Sequence, residues 1–178
     1  MPNVATTGNL PYVQDLSGKM IGGTRAFGLP TPTATKQFPL GCLLYNDEGD
    51  GTIYKYVQAT AASIAAGDVV SLSGGGTTVS TTPASATGVA TRVGVAPYAF
   101  TASYYGFIVV HGPVLARSGT VSAGTVVVPN VASAGAVVAL APGAGYAQAE
   151  AVAAMSIIGV AGTPDSGGFA TIFVRNCL

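Results

Sequence analysis

The side chains able to do chemistry in this chain are few, and they do not assemble into a working set. His111 is the single histidine of 178 residues. A catalytic base needs a nucleophile and an orienting group within reach, and spacing ties neither Asp68 nor Asp165 to it. The GxSxG and HExxH patterns are absent. The densest acidic stretch, Asn46-Asp47-Glu48-Gly49-Asp50-Gly51, holds three of the seven carboxylates. Oxygen ligands at alternate positions before a glycine suit calcium, but Val57 stands where that loop needs a bidentate Glu. The stretch reads as a solvated hairpin turn in which Asp-Gly supplies the left-handed residues. Ser73-Gly74-Gly75-Gly76-Thr77-Thr78 lacks the lysine and helix start of a phosphate loop and reads as an exposed hairpin loop. Cys42 and Cys177 lack a CxxC spacing and read as unpaired thiols. The expectation is no enzyme, no metal and no cofactor.

Five of the fourteen aromatics, Tyr98, Phe100, Tyr104, Tyr105 and Phe107, fall within ten residues. Aromatics stack on bases or sugars, but no Lys or Arg lies between Arg92 and Arg117. Nucleic-acid binding draws its affinity from phosphate neutralisation, so that partner is not expected. Core packing or a subunit interface suits these rings better. Tyr104 and Tyr105 are adjacent, so on a strand they face opposite ways, one toward the core and one toward an interface.

Composition sets the frame for the elements that must hold these residues. Gly, Ala, Val, Thr and Ser make up 107 of 178 positions, charged residues only 8%, and the net charge is zero. Hydrophobicity this high excludes a disordered chain. Few charges and no net charge favour association over a solitary existence. A membrane span is not expected, although Ser118 to Ala149 carries no charge. Pro129, Pro142 and five glycines interrupt that stretch, whereas a spanning helix wants about 20 predominantly apolar residues. No basic-then-apolar leader pattern opens the sequence.

Two regions follow from the pattern. Residues 1–51 hold five of the eleven prolines and neither alternation nor a helical stripe. Proline favours extended chain, so this region reads as an extended N-terminal arm lying on another surface. Its apolar residues Leu10, Tyr12, Val13, Phe27 and Phe38, with Tyr104 and Tyr105 of the body, are the expected partner-binding residues. Residues 52–178 read as a series of short strands rich in Val, Ile, Thr and aromatics, bounded by turn residues, which indicates an all-β sandwich or barrel. Only Ala147–Met155 is compatible with helix, through its alanines.

The body also repeats. Ala65–Val70 reads AAGDVV and Ser122–Val127 reads SAGTVV; Val93–Ala96 reads VGVA and Ile158–Ala161 reads IGVA. YYGFIVV at Tyr104–Val110 loosely matches SGGFATIFV at Ser166–Val174. The units run over about 58–112 and 113–175. Glycine inside VGVA and IGVA points to a bulge or a close backbone approach.

These motifs, in this order and duplicated, resemble the capsid decoration (cement) proteins of tailed bacteriophages over about Gln58 to Arg175. The resemblance implies an all-β fold on the outer surface of a virion capsid, often as a homotrimer. It implies a major capsid protein and other copies of the chain as partners, and neither enzyme activity nor cofactor. The first fifty residues depart from the family pattern, so the arm inherits no role from it. Two other readings remain: another virion component such as a fibre, tail or minor capsid protein, and an adhesion module binding glycans through Tyr98–Phe107.

Overall fold

Short Val- and Thr-rich runs cannot bury both faces alone, so they pair with one another. A computed structural model describes residues 12–14, 20–21, 31–45, 51–60, 62–81, 93–130, 132–140 and 157–175. The described residues form strands, turns and bends with no helix. The segment Ala147–Met155, compatible with helix on composition, lies outside them. The strands are β1 (Tyr12–Gln14), β2 (Met20–Ile21), β3 (Leu43–Tyr45), β4 (Ile53–Ala59), β5 (Val69–Ser73) and β6 (Thr78–Thr81). They continue with β7 (Val93–Val95), β8 (Tyr105–Arg117), β9 (Val126–Pro129), β10 (Val137–Ala139), β11 (Gly159–Ala161) and β12 (Phe169–Val174).

The pairings close into two rings that share β8. In the first ring β4 pairs with β8, β8 with β7, β7 with β5, and β5 with β6. A parallel pairing of β6 with β4 closes it. In the second ring β8 pairs with β12, β12 with β11, β11 with β9, and β9 with β10. A parallel bridge from Ser118 to Val137 closes that one. The 13-residue β8 is the last strand of the first ring and the first strand of the second. Its partner changes from β4 at His111 to β12 at Gly112. Gly112 has φ +98°, and an added Cβ would sit 2.7 Å from Thr52 Cα. Only glycine lets the strand pass that point while its neighbours exchange.

The sequence repeat maps onto this architecture bond by bond. Gly67 N–H donates to Ala96 O and Gly124 N–H to Ala161 O, each at 2.7 Å. Asp68 N–H donates to Ala65 O as Thr125 N–H does to Ser122 O. Glycine within VGVA meets the expected close approach: a Cβ on Gly94 would lie 2.7 Å from Ile108 Cδ1 and 2.9 Å from the Val109 carbonyl.

One apolar core runs through both rings, from Val57, Val70, Val79 and Ile108 to Val127, Ile158, Ile172 and Val174. Each such side chain contributes about 1.5–3 kcal/mol on burial.

The stretch expected to lie on another surface is in part built into the fold. β3 pairs antiparallel with β4, and β1 pairs with β3. Cys42 and Leu44 are fully buried, in a second cluster with Tyr56 and Phe107 to which Phe38 and Leu40 add. Residues 38–44 thus have a local core. A turn at Leu40–Gly41, in which Cys42 N–H donates to Pro39 O at 3.2 Å, leads into β3, and the aromatics of β4 and β8 receive Phe38, Leu40, Cys42 and Leu44.

Candidate interaction surface

Of the expected partner-binding residues, Leu10 and Phe27 lie outside the described residues. Tyr12 and Val13 are in β1, in register with Tyr45 and Leu44 of β3. Phe38 is half-buried, its ring 5.3 Å from Tyr56 edge-on and 5.4 Å from Phe107. Tyr105 stacks on Tyr56 at 6.4 Å. Tyr104 and Tyr105 are both half-buried. The structure gathers Phe38 and Tyr105 on one aromatic cluster that the chain itself fills. The Tyr98–Phe107 run does not make one flat stacking surface: Tyr98 is exposed, whereas Phe100 and Phe107 are buried.

His111 is half-buried opposite Ile53. No group of three His, Cys, Asp or Glu side chains suited to a metal occurs among the described residues. Asn46–Asp50 lie outside them. Gly74–Gly76 turn the β5–β6 hairpin with positive φ, and Gly76 N–H donates to Ser73 O at 2.9 Å. Burial pushes the Cys42 thiol up from its ordinary 9.0 to about 11, so it stays protonated and unreactive at neutral pH.

Sequence reading did not find the ion pair between Asp68 and Arg117. Asp68 is buried, and its Oδ1 accepts from Arg117 Nη1 at 2.7 Å while Oδ2 accepts from Ala65 N–H at 2.9 Å. The carboxylate caps the AAGD turn of the first ring and holds the end of β8. Arg117, Ser118, Asn130 and Phe169 also border a cleft of about 250 Å³. The pair was illegible because its partners stand 49 residues apart.

The main exposed feature was missed as well. The two rings share a register point: Val95 pairs with Val109 as Val160 pairs with Phe173. In the first ring, β4 and β8 pair Tyr56 with Phe107 and Gln58 with Tyr105 beneath residues 38–44, whereas Val109, opposite Tyr54, belongs to the main core. The second ring presents Pro113–Phe173, Leu115–Thr171 and Arg117–Phe169. Tyr56 and Phe107 are 2% and 3% exposed, under the cover of residues 38–44. Leu115 is 57% exposed, Phe173 49% and Phe169 37%. Val126, also exposed, continues the row through Val160 of β11. The signal lay in the alternation of FATIFV, whose Phe169 and Phe173 share one face. Contiguous exposed apolar surface of this kind marks an interaction site.

No protein-family model matches the chain, and no curated protein matches it.

Proposed function

We propose that this chain is a virion structural protein, a capsid decoration protein that binds the outside of a phage head across capsomer boundaries. The observation that carries the reading is the apolar outer row of the second ring, bare on a chain with almost no charge. Buried Asp68 and half-exposed Arg117 neutralise each other beside it. A surface without strong charge and with exposed Leu and Phe suits permanent assembly rather than transient electrostatic encounter. The motifs that carry the family resemblance support it further, since each occupies the same place in both rings.

The mechanism is linkage. A ligand that binds only the assembled shell stabilises it by mass action. Several copies joined on one lattice gain avidity over a single contact. The test is cosedimentation of the purified chain with emptied, expanded phage heads and with unexpanded ones, followed by heating. Saturable binding to expanded heads and delayed head disruption are expected. Binding to tails or fibres instead, or to immobilised glycans with no affinity for heads, would overturn the reading.

A further inference from the structure

At the far end of β8 three pieces of chain, remote from one another in sequence, meet around the cleft of about 250 Å³. They are Arg117 to Gly119, the turn between β9 and β10 entered at Asn130, and the hairpin Ser166–Phe169 that opens β12. Ser118 N–H donates to Gly168 O at 2.8 Å, Gly119 N–H to Val137 O at 2.7 Å, and Asn130 N–H to Ala136 O at 2.8 Å. Backbone hydrogen bonds thus tie the walls together. The volume falls below the roughly 300–1,000 Å³ of drug-sized sites and suits a single small ring.

The polar side chains at the border have more hydrogen-bonding capacity than the fold uses. Arg117 gives Nη1 to Asp68 Oδ1 at 2.7 Å, and its other guanidinium N–H groups make no bond among the described residues. Asn130 Oδ1 accepts from Ala132 N–H at 2.9 Å, which fixes the amide and leaves the Nδ2 hydrogens uncommitted. That nitrogen stands over Gly119, 3.0 Å from where a Cβ would sit. Ser118 Oγ is buried with no hydrogen-bond partner, a costly state that a ligand oxygen relieves.

Charge narrows the ligand. Buried Asp68 already balances Arg117, so the cleft offers donors without net charge and does not call for an anion. Phe169 adds an apolar ring, 37% exposed, at the same border. Gly167 and Gly168 leave the hairpin side open, since a Cβ on either would meet nothing within 4 Å. Uncommitted N–H and O–H groups beside an aromatic ring match a molecule with oxygens around its rim and C–H groups on its face.

We propose that this cleft binds one neutral pyranose sugar ring, whose oxygens accept from Arg117 and Asn130 Nδ2 and whose C–H face packs on Phe169. No residue of the Tyr98–Phe107 run borders the cleft, and neither do Leu115 and Phe173. The centre of the apolar row therefore stays bare with the sugar bound, and the site stands independently of any capsid role.

NMR on the full chain tests it. The probes are the methyl glycosides of glucose, galactose, mannose and N-acetylglucosamine, with glucuronate and acetate as anions. Saturation transfer to the ring protons of at least one glycoside is expected. Backbone amide shifts on titration should cluster at 117–119, 130–136 and 166–169. Asn130→Ser keeps an oxygen for Ala132 N–H and removes Nδ2; Phe169→Leu keeps apolar bulk and removes the ring. Each should cut the transfer about five-fold, while Leu115→Ser leaves it unchanged. Transfer from no glycoside, transfer from the anions alone, or shifts centred on Tyr98–Phe107 would overturn the proposal, as would undiminished transfer in both variants. Asn130 lies outside the apolar row, so Asn130→Ser should cosediment with expanded heads as the unaltered chain does. Loss of head binding in that variant would assign the cleft to the capsid contact instead.

Discussion

Gly94 and Cys42 show how much a single position can depend on its surroundings. Alanine at Gly94 is helpless against two neighbours at once, Ile108 Cδ1 and the Val109 carbonyl, one of which is backbone. Gly94→Ala should destabilise by about 1–3 kcal/mol, as overpacked cores do, measured by urea unfolding. Cys42 gives a pH dependence of known sign. Its folded thiol titrates at about 11 and its ordinary value is 9.0. The raised value favours the protonated, neutral form in the fold, so this contribution is complete below pH 9.0 and is lost as pH rises toward about 11. Unfolding midpoints should fall across that window, and Cys42→Ala should flatten the fall. Asp68 and Arg117 form the third case. Arg117→Ala strands a buried carboxylate, at a cost of about 2 kcal/mol. That is below the figure for a fully buried pair, because the Arg117 side chain is 37% exposed and the charge partly screened by water. Replacing both partners with apolar residues should recover most of the loss, a comparison that thermal melts of the two variants would make.

Among the elements, residues 38–44 do most to revise the picture of an arm. They were readable as extended and apolar, but not as belonging to this chain's own core. Phe38, Leu40, Cys42 and Leu44 find Tyr56 and Phe107 only because β3 turns back on β4. The consequence is a sharper truncation experiment. Removing residues 1–30 spares this cluster and should leave the melting curve of the body within a few degrees of the full chain. Removing residues 1–40 takes away Phe38 and Leu40, exposes Tyr56 and Phe107, and should lower the midpoint by roughly 5–10 °C, on the basis of about 2 kcal/mol lost from a domain of this size. Circular dichroism melts distinguish the two. If the arm holds the shell, the shorter deletion abolishes head binding while the fold persists.

The whole molecule depends on β8. Its first half closes one ring and its second half opens the next, so the core is continuous across the junction and the rings should unfold together. A single cooperative transition is expected by both fluorescence and circular dichroism, and two separated transitions would show that the shared strand does not couple them. Much of this was legible beforehand. Turn residues at fixed intervals, alternating Val and Thr, and the paired AAGDVV/SAGTVV and VGVA/IGVA motifs determine an all-β chain with a duplicated unit, because these are local preferences of backbone and side chain. What the tertiary structure alone decided is which strands neighbour which. That β8 serves both rings, that Asp68 meets Arg117, and that Tyr56 is covered while Leu115 is bare all depend on contacts between residues far apart in sequence. Such contacts leave no periodic trace, since burial is decided by what the folded chain brings alongside and not by the residue itself.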